Sequence, residues 1–230
     1  MADSRPTIAV IGGTGDEGGA LARRWVAAGY PVVIGSRSAE RGQQKADELN
    51  AALSDREGVV QARGSANEEA AASGDIVVLT VPYGAHAATL ESIREGVQGK
   101  ILVDCTVPLK PPQVARVQLP EAGSASMEAQ QLLGEGVRVV SAFQNVSAAL
   151  LDDLSADPNC DVLVTGNDPE ARAQVVELAE AAGMVGIHAG RLENAAAAEA
   201  LTSILIFVNR HYKAKHSGIR ITNLPEKDEE

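Results

Sequence analysis

Cysteine is nearly absent from this chain: Cys105 and Cys160 are the only two in 230 residues. They stand in neither a metal-ligand spacing nor a Cys-x-x-Cys pair. That excludes a zinc module and a disulfide-stapled scaffold, and it reads as reduced thiols in a cytoplasmic protein, with a bond between the two as the other option. Long apolar runs are missing as well. The longest in the C-terminal half, Ala195 to Val208, is broken by Glu199, Thr202 and Ser203 and is too short to cross a bilayer. The opening residues, Met1 to Pro6, lack the apolar segment of a signal peptide. Positive charge is short too: 20 Lys and Arg against 31 Asp and Glu give a net charge of −11. Such a surface repels polyphosphate, so no nucleic-acid partner is expected, and no membrane partner. No metal cluster, nucleophile elbow, paired-carboxylate motif, repeat or low-complexity linker is visible.

What is present is concentrated at the start. An apolar run from Thr7 to Ile11 leads into Gly13-Thr14-Gly15-Asp16-Glu17-Gly18, then a helical pattern, then Val32-Val33-Ile34-Gly35-Ser36-Arg37. Strand, glycine turn, helix and second strand follow the order of a dinucleotide-binding unit. Gly13 is expected to form the tight turn, Gly15 to admit a pyrophosphate close to the backbone, and Gly18 to let the helix approach the strand. The free N–H groups of the helix start would face that pyrophosphate. An NAD site carries Asp or Glu at the end of the second strand, to bind the ribose hydroxyls. This chain has Ser36-Arg37-Ser38 there, with Arg41 four residues beyond Arg37. A carboxylate would repel a 2′-phosphate, whereas guanidinium groups bind it through charge-assisted hydrogen bonds. Ser36, Arg37 and Arg41 therefore form a candidate 2′-phosphate clamp, and the cofactor is expected to be NADP(H).

The remaining pattern alternates. A helix is expected over Ala39–Leu53, a short strand over Val59–Ala62 and a short helix over Glu68–Ala72. The continuous apolar run Asp75–Val81 reads as a parallel strand buried on both faces. A helix near Ala85–Glu95, a strand at Lys100–Asp104, an irregular proline-rich loop from Pro108 to Pro120, a helix at Ser126–Leu133 and a strand at Val137–Ala142 follow. The fold class is α/β: a Rossmann-type, doubly wound parallel sheet with right-handed crossovers, completed by a smaller C-terminal α/β lobe. Residues 1–142 would form the NADP-binding domain, and residues 143–230 a small domain completing the second-substrate cleft and a dimer interface.

In that second part, strands at Asp161–Thr165 and Val185–His188 flank a helix at Pro169–Ala182 and lead to a long helix, Leu192–Tyr212. Its apolar residues run nearly all round between Ala195 and Val208, which implies burial between lobes, in the core or in a dimer. From residue 200 to 225 there is no acid, while Arg210, Lys213, Lys215 and Arg220 collect beside His211 and His216. This basic stretch fits an anionic partner or, equally, a cation-favouring helix C-terminus. The closing residues, Glu226 to Glu230, read as a solubilising tail.

Ligands of such folds sit beyond the carboxyl ends of the strands. His86 follows the fourth strand and is either structural or in touch with the cofactor. Asn145, in Phe143-Gln144-Asn145-Val146-Ser147, would orient a polar ring or bind backbone. With no acid or base in evidence and no catalytic residue assigned, the chemistry that fits best is hydride transfer between two cofactor rings, in which the protein supplies orientation.

Five segments together carry a family resemblance: Ile-Gly-Gly-Thr-Gly at 11–15, Gly-Ser-Arg at 35–37, Leu-Thr-Val-Pro-Tyr at 79–83, Ala-Phe-Gln-Asn-Val at 142–146 and Gly-Ile-Arg-Ile-Thr at 218–222. The set resembles the NADPH-dependent reductases of coenzyme F420, also called F420H2:NADP oxidoreductases. The resemblance implies reversible hydride transfer between C4 of the nicotinamide and C5 of the 8-hydroxy-5-deazaflavin, in a homodimer. It places Thr14, Gly15, Asp16 and Glu17 at the pyrophosphate. Leu79, Thr80, Val81, Pro82, Thr106 and Val107, with Ala142, would line the nicotinamide pocket. The deazaflavin would stack near Phe143, Asn145 and Val146, and its phosphate and glutamate tail would meet the basic stretch. The alternatives are a reductase of another small substrate, such as an imine, keto acid or metal-bound ligand, and a non-catalytic NADP(H) sensor.

Overall fold

The computed structural model describes residues 5–225; Glu226 to Glu230, and Met1 to Ser4, lie outside the described residues. Eight strands form one sheet: β1 (Ile8–Ile11), β2 (Val32–Ser36), β3 (Arg63–Ala66), β4 (Ile76–Leu79), β5 (Ile101–Asp104), β6 (Arg138–Ser141), β7 (Asp161–Gly166) and β8 (Val185–His188). Their spatial order is β3-β2-β1-β4-β5-β6-β7-β8. Every pair is parallel except β6 and β7, which run antiparallel through Val140↔Gly166 and Ser141↔Thr165. The order turns round between β1 and β4, and there the carboxyl ends of neighbouring strands open a crevice.

Period-two alternation sorts the strand residues onto two faces. Ile8, Val10, Val32, Ile34, Val78 and Val103 pack with Trp25 beneath α1 (Asp16–Ala27), α2 (Ala39–Ala52) and α7 (Pro169–Ala181). Ala9, Ile11, Val33, Val77, Leu79 and Leu102 pack on the other face, beneath α3 (Asn67–Ser73), α4 (Tyr83–Ile93) and α5 (Ala125–Leu133). A sheet covered by helices on both faces needs continuous apolar strands, as β1 and β4 have.

Three elements depart from the sequence reading. The third strand is not at Val59–Ala62 but at Arg63–Ala66, paired with Val33–Ser36. It is an edge strand, and small residues let it run directly under α2: a Cβ on Gly64 would stand 2.0 Å from the Gly42 carbonyl carbon. A helix that the sequence did not announce, α6 (Ala148–Asp152), packs against α1. The long C-terminal helix divides into a 3-10 turn, Leu192–Asn194, and α8 (Ala195–Tyr212). Of α8, only Ala195, Ala198, Glu199 and Ser203 are buried, while Ile204, Phe207 and Tyr212 are largely exposed, so core packing does not account for its apolar face.

Candidate functional site

The β1–α1 turn is built by glycines, with one correction. The left-handed residue is Gly12, at φ +78°, rather than Gly13. Gly13 instead lies against β1 and β2, its amide within reach of the Val10 and Gly35 carbonyls at 3.2 and 3.0 Å. Gly18 sets the approach of helix to sheet: a Cβ there would stand 2.3 Å from Thr80 Oγ1 and 2.9 Å from Gly13 Cα. The Thr80 hydroxyl donates to the Ile11 carbonyl at 3.0 Å, so β4 ends locked to β1.

At this switch point a cavity of about 280 Å³ opens, lined by Thr14, Gly15, Ser36, Arg37, Arg41, Thr80, Val81 and Pro82 from the sequence assignment. The cleft thus runs from two guanidinium groups at the end of β2, past the glycine turn, to the end of β4. Gly12, from the 11–15 segment already singled out, completes the lining with Asn67, Ala85 and Thr89, and these last three were not foreseen. Asn67 follows the true β3, and its Oδ1 accepts from the Gly12 amide at 3.4 Å. Placing the third strand four residues early hid this residue from the rule that strand ends carry the ligand.

Other assigned residues stand elsewhere. Asp16 lines an adjoining cavity of about 600 Å³, together with Thr14, Gly15, Lys45, Ser147, Asp152, Lys215 and His216. Leu79 and Ala142 are fully buried beneath the cleft, and Thr106 is 3% exposed. Thr106 ties the end of β5 to that of β4, its hydroxyl reaching the Val81 carbonyl at 3.4 Å. Val107 and Val146 are half-buried and line neither cavity. Phe143 corrects the stacking assignment: at φ +75° its ring turns into the core, edge-on to Trp25 at 5.9 Å, with no exposed surface to offer a deazaflavin. Asn145 is buried too, donating to the Asp161 carbonyl at 2.8 Å, which is the backbone role rather than the ring-orienting one.

Glu17 faces inward. Burial, with the charge of Asp104 adding to it, pushes its carboxyl up to about 8, and in turn it helps raise the thiol of buried Cys105. His86 is buried and bonds Asp104 through Nε2 at 2.7 Å, while Asp104 Oδ1 accepts from the Thr106 amide at 3.0 Å. Burial pulls this imidazole down, but the Asp104 hydrogen bond and charge, with Glu128 and Glu199 farther off, lift it above its ordinary value. The pair fixes the end of β5 to α4. Cys105 and Cys160 are separately buried and not bonded to each other.

Two residues that the sequence did not single out join the halves of the chain. Arg24 of α1 donates to the carbonyls of Leu150, Leu151, Asp153, Ala156 and Ala182 at 2.8–3.1 Å. Trp25 Nε1 donates to the Leu178 carbonyl at 2.9 Å. An arginine fork can satisfy several carbonyls at once, and an apolar side chain cannot. The only signal in the sequence is an arginine beside a tryptophan on an otherwise small-residue helix face.

A doubly wound sheet whose switch point carries a glycine turn at a helix start defines a Rossmann-type dinucleotide-binding protein. Residues 7–108 match the family model described as NADP oxidoreductase, coenzyme F420-dependent. The chain is 42% identical over 226 residues to the F420-dependent NADP reductase of Methanothermobacter thermautotrophicus, covering 96% of this chain and 97% of that one. To the protein of the same name from Methanocaldococcus jannaschii it is 42% identical over 224 residues, covering 94% and 98%. A crystal structure of a putative F420-dependent NADP-reductase from Arthrobacter sp. FB24 superposes with a TM-score of 0.77 at 25% identity, covering 95% of this chain and all of that one. The chain belongs to the family of coenzyme F420-dependent NADP oxidoreductases.

Proposed function

We propose that this protein transfers a hydride reversibly between NADP(H) and coenzyme F420, an NADP-dependent oxidoreductase activity. The observation that carries the cofactor half is the meeting of Arg37 and Arg41 with the glycine turn and the Thr80–Pro82 strand end in one cavity. The residues fit the dinucleotide. Two guanidinium groups with no carboxylate on that wall suit a 2′-phosphate, and the cradle that a Cβ at residue 18 would fill keeps α1 close to the sheet. When bound, the nicotinamide and the deazaflavin supply the redox chemistry between their C4 and C5 atoms.

The protein's own share is placement. Ser36, Arg37 and Arg41 hold the 2′-phosphate end, and Thr14, Gly15 and Asp16 border the pyrophosphate. Thr80, Val81 and Pro82, backed by Leu79 and Thr106, position the nicotinamide end. Holding two rings in contact in a desolvated cleft replaces a bimolecular encounter with an oriented one. Residues 143–225 contribute α6 and the segment after α8 to the adjoining cavity that Thr14 and Gly15 also line, which supports a division near residue 142. The exposed apolar face of α8, with Ile204, Phe207 and Tyr212, supports a homodimer, and a monomeric mass by light scattering at micromolar protein would refute it. No helix among the described residues is long and apolar enough to cross a membrane, and two unbonded thiols accord with a cytoplasmic setting.

Anaerobic mixing of the purified protein with NADPH and oxidised coenzyme F420 tests the activity. Rapid loss of the deazaflavin's visible absorbance with NADPH, and little with NADH, is the expected result. Intact NADPH binding without bleaching would remove F420 as the acceptor.

A further inference from the structure

Asn67 lines the cofactor cleft yet has no part in the placement described above. It is the first residue of α3, directly after β3, and only 6% of its surface is exposed. Its side chain lies across two strand ends. Oδ1 accepts from the amide of Gly12, the left-handed residue of the turn after β1, at 3.4 Å. On the β2 side, a Cβ on Gly35 would stand 3.0 Å from that oxygen, so the glycine leaves the room that the amide fills. Gly35 is paired with Ile11 of β1, which puts the crossing at the last rung of the sheet before the cleft opens.

The contact with Gly12 also fixes which way the amide faces. A backbone N–H can only donate, so the atom turned to the glycine turn is the oxygen and the one left over is the nitrogen, with its two donors. Among the described residues Nδ2 makes no hydrogen bond, and it is not enclosed by protein, so its donors open on the cavity that Ser36, Arg37 and Arg41 also line. No acid lines that cavity. Between the guanidinium pair at one end and the glycine turn at the other, a dinucleotide presents its adenosine ribose. Two unused donors stand there.

We propose that Asn67 is a specificity-determining residue of the dinucleotide cleft: Oδ1 holds the glycine turn, Nδ2 donates to the phosphorylated adenosine ribose, and the neutral amide keeps that neck of the cleft open to an anion. The proposal rests on the NADP(H) reading of the cleft. A carboxylate of the same shape would still accept from Gly12, but it would donate nothing and would repel a 2′-phosphate. It would also accept from free ribose hydroxyls, as the acid of an NAD site does. The choice between the two dinucleotides therefore lies with the amide that follows β3 as well as with the arginines that follow β2.

Asn67→Asp and Asn67→Ala are compared with the parent protein by calorimetric titration with NADPH and with NADH, with no deazaflavin present. In Asn67→Asp the dissociation constant for NADPH should rise about tenfold or more while that for NADH stays within about threefold, so that the preference for NADPH shrinks. Added salt should relieve this penalty, because it arises from repulsion. Asn67→Ala removes the donors without adding charge, and should weaken NADPH binding by roughly threefold to tenfold with little relief from salt. Equal weakening of both dinucleotides in Asn67→Asp would make the residue a support for the glycine turn alone, and an unchanged constant for NADPH in either variant would mean that the side chain does not meet the phosphorylated ribose; each result overturns the proposal. A parent protein that binds neither dinucleotide would overturn the reading of the cleft itself, a result distinct from both.

Discussion

Glu199 of α8 holds the first turn of α5: its Oε2 accepts from the Ala125 amide at 2.7 Å, and its Oε1 accepts from the Ser126 amide and hydroxyl at 3.0 and 2.9 Å. A carboxylate at a helix N-terminus satisfies orphan donors and opposes the helix dipole, and this one reaches across 73 residues of chain to do so. Glu199→Ala would strand two buried amides, each costing about 1–3 kcal/mol. Urea denaturation should therefore show a loss of roughly 3 kcal/mol, whereas a loss below about 0.5 kcal/mol would mean that water replaces the carboxylate.

Arg24 does for α6 what Glu199 does for α5. Arg24→Met keeps the stem packed in the core but removes the guanidinium from all five carbonyls, of which Asp153 alone keeps a further backbone donor, the Ala156 amide, among the loop and turn hydrogen bonds. Amide exchange across residues 147–156 should accelerate by at least about tenfold while β1 and β4 stay protected, because the segment would open locally rather than with the whole molecule. Uniform acceleration everywhere would show that the clamp stabilises the global fold instead.

The nucleotide half was legible because its signals are local. Each strand of β1, β2, β4 and β5 announces itself as an apolar run, and the glycines and arginines of the cleft lie within a few residues of those strand ends. β3 was misplaced because an edge strand that passes under a helix needs small residues such as Gly64 and Ser65 rather than apolar ones, and Asn67 was lost with it. Phe143 was assigned to the cleft because it follows β6. Which way a residue beyond a strand end turns depends on backbone φ and on a distant partner, here Trp25, and no spacing reports that. Arg24 and Glu199 were missed for the same reason: each acts on chain that is remote in sequence and near only in the fold.

The Glu17 carboxyl gives stability a slope with pH. Its folded value is raised from 4.5 to about 8, by burial first and then by Asp104. A raised value means that the neutral form is favoured in the folded state. The contribution is therefore complete below pH 4.5 and is lost as pH climbs towards 8. Glu17→Gln should flatten that slope and leave the variant more stable than the parent at pH 8.5. Partial solvent access limits the difference to on the order of 1 kcal/mol. Parallel stability–pH curves for the two proteins from pH 5 to 8.5 would show that the carboxyl ionises freely in the folded state.

Arg37 and Arg41 stand at the end of β2, where an acidic residue would mark an NAD site, and both line the same cavity as the glycine turn. The partner proposed for them is the 2′-phosphate, which lies at the opposite end of the dinucleotide from the reacting ring and carries the same charge in the ground and transition states. An interaction that does not change along the reaction lowers KM without raising kcat. Arg37→Ala should therefore raise KM for NADPH by about tenfold or more and leave kcat within about threefold. KM for NADH, which has no phosphate at that position, should scarcely move, so that the preference for NADPH collapses. A large fall in kcat at unchanged KM would place Arg37 in the chemistry of the nicotinamide end instead, and would reverse the orientation assigned to the cofactor in the cleft.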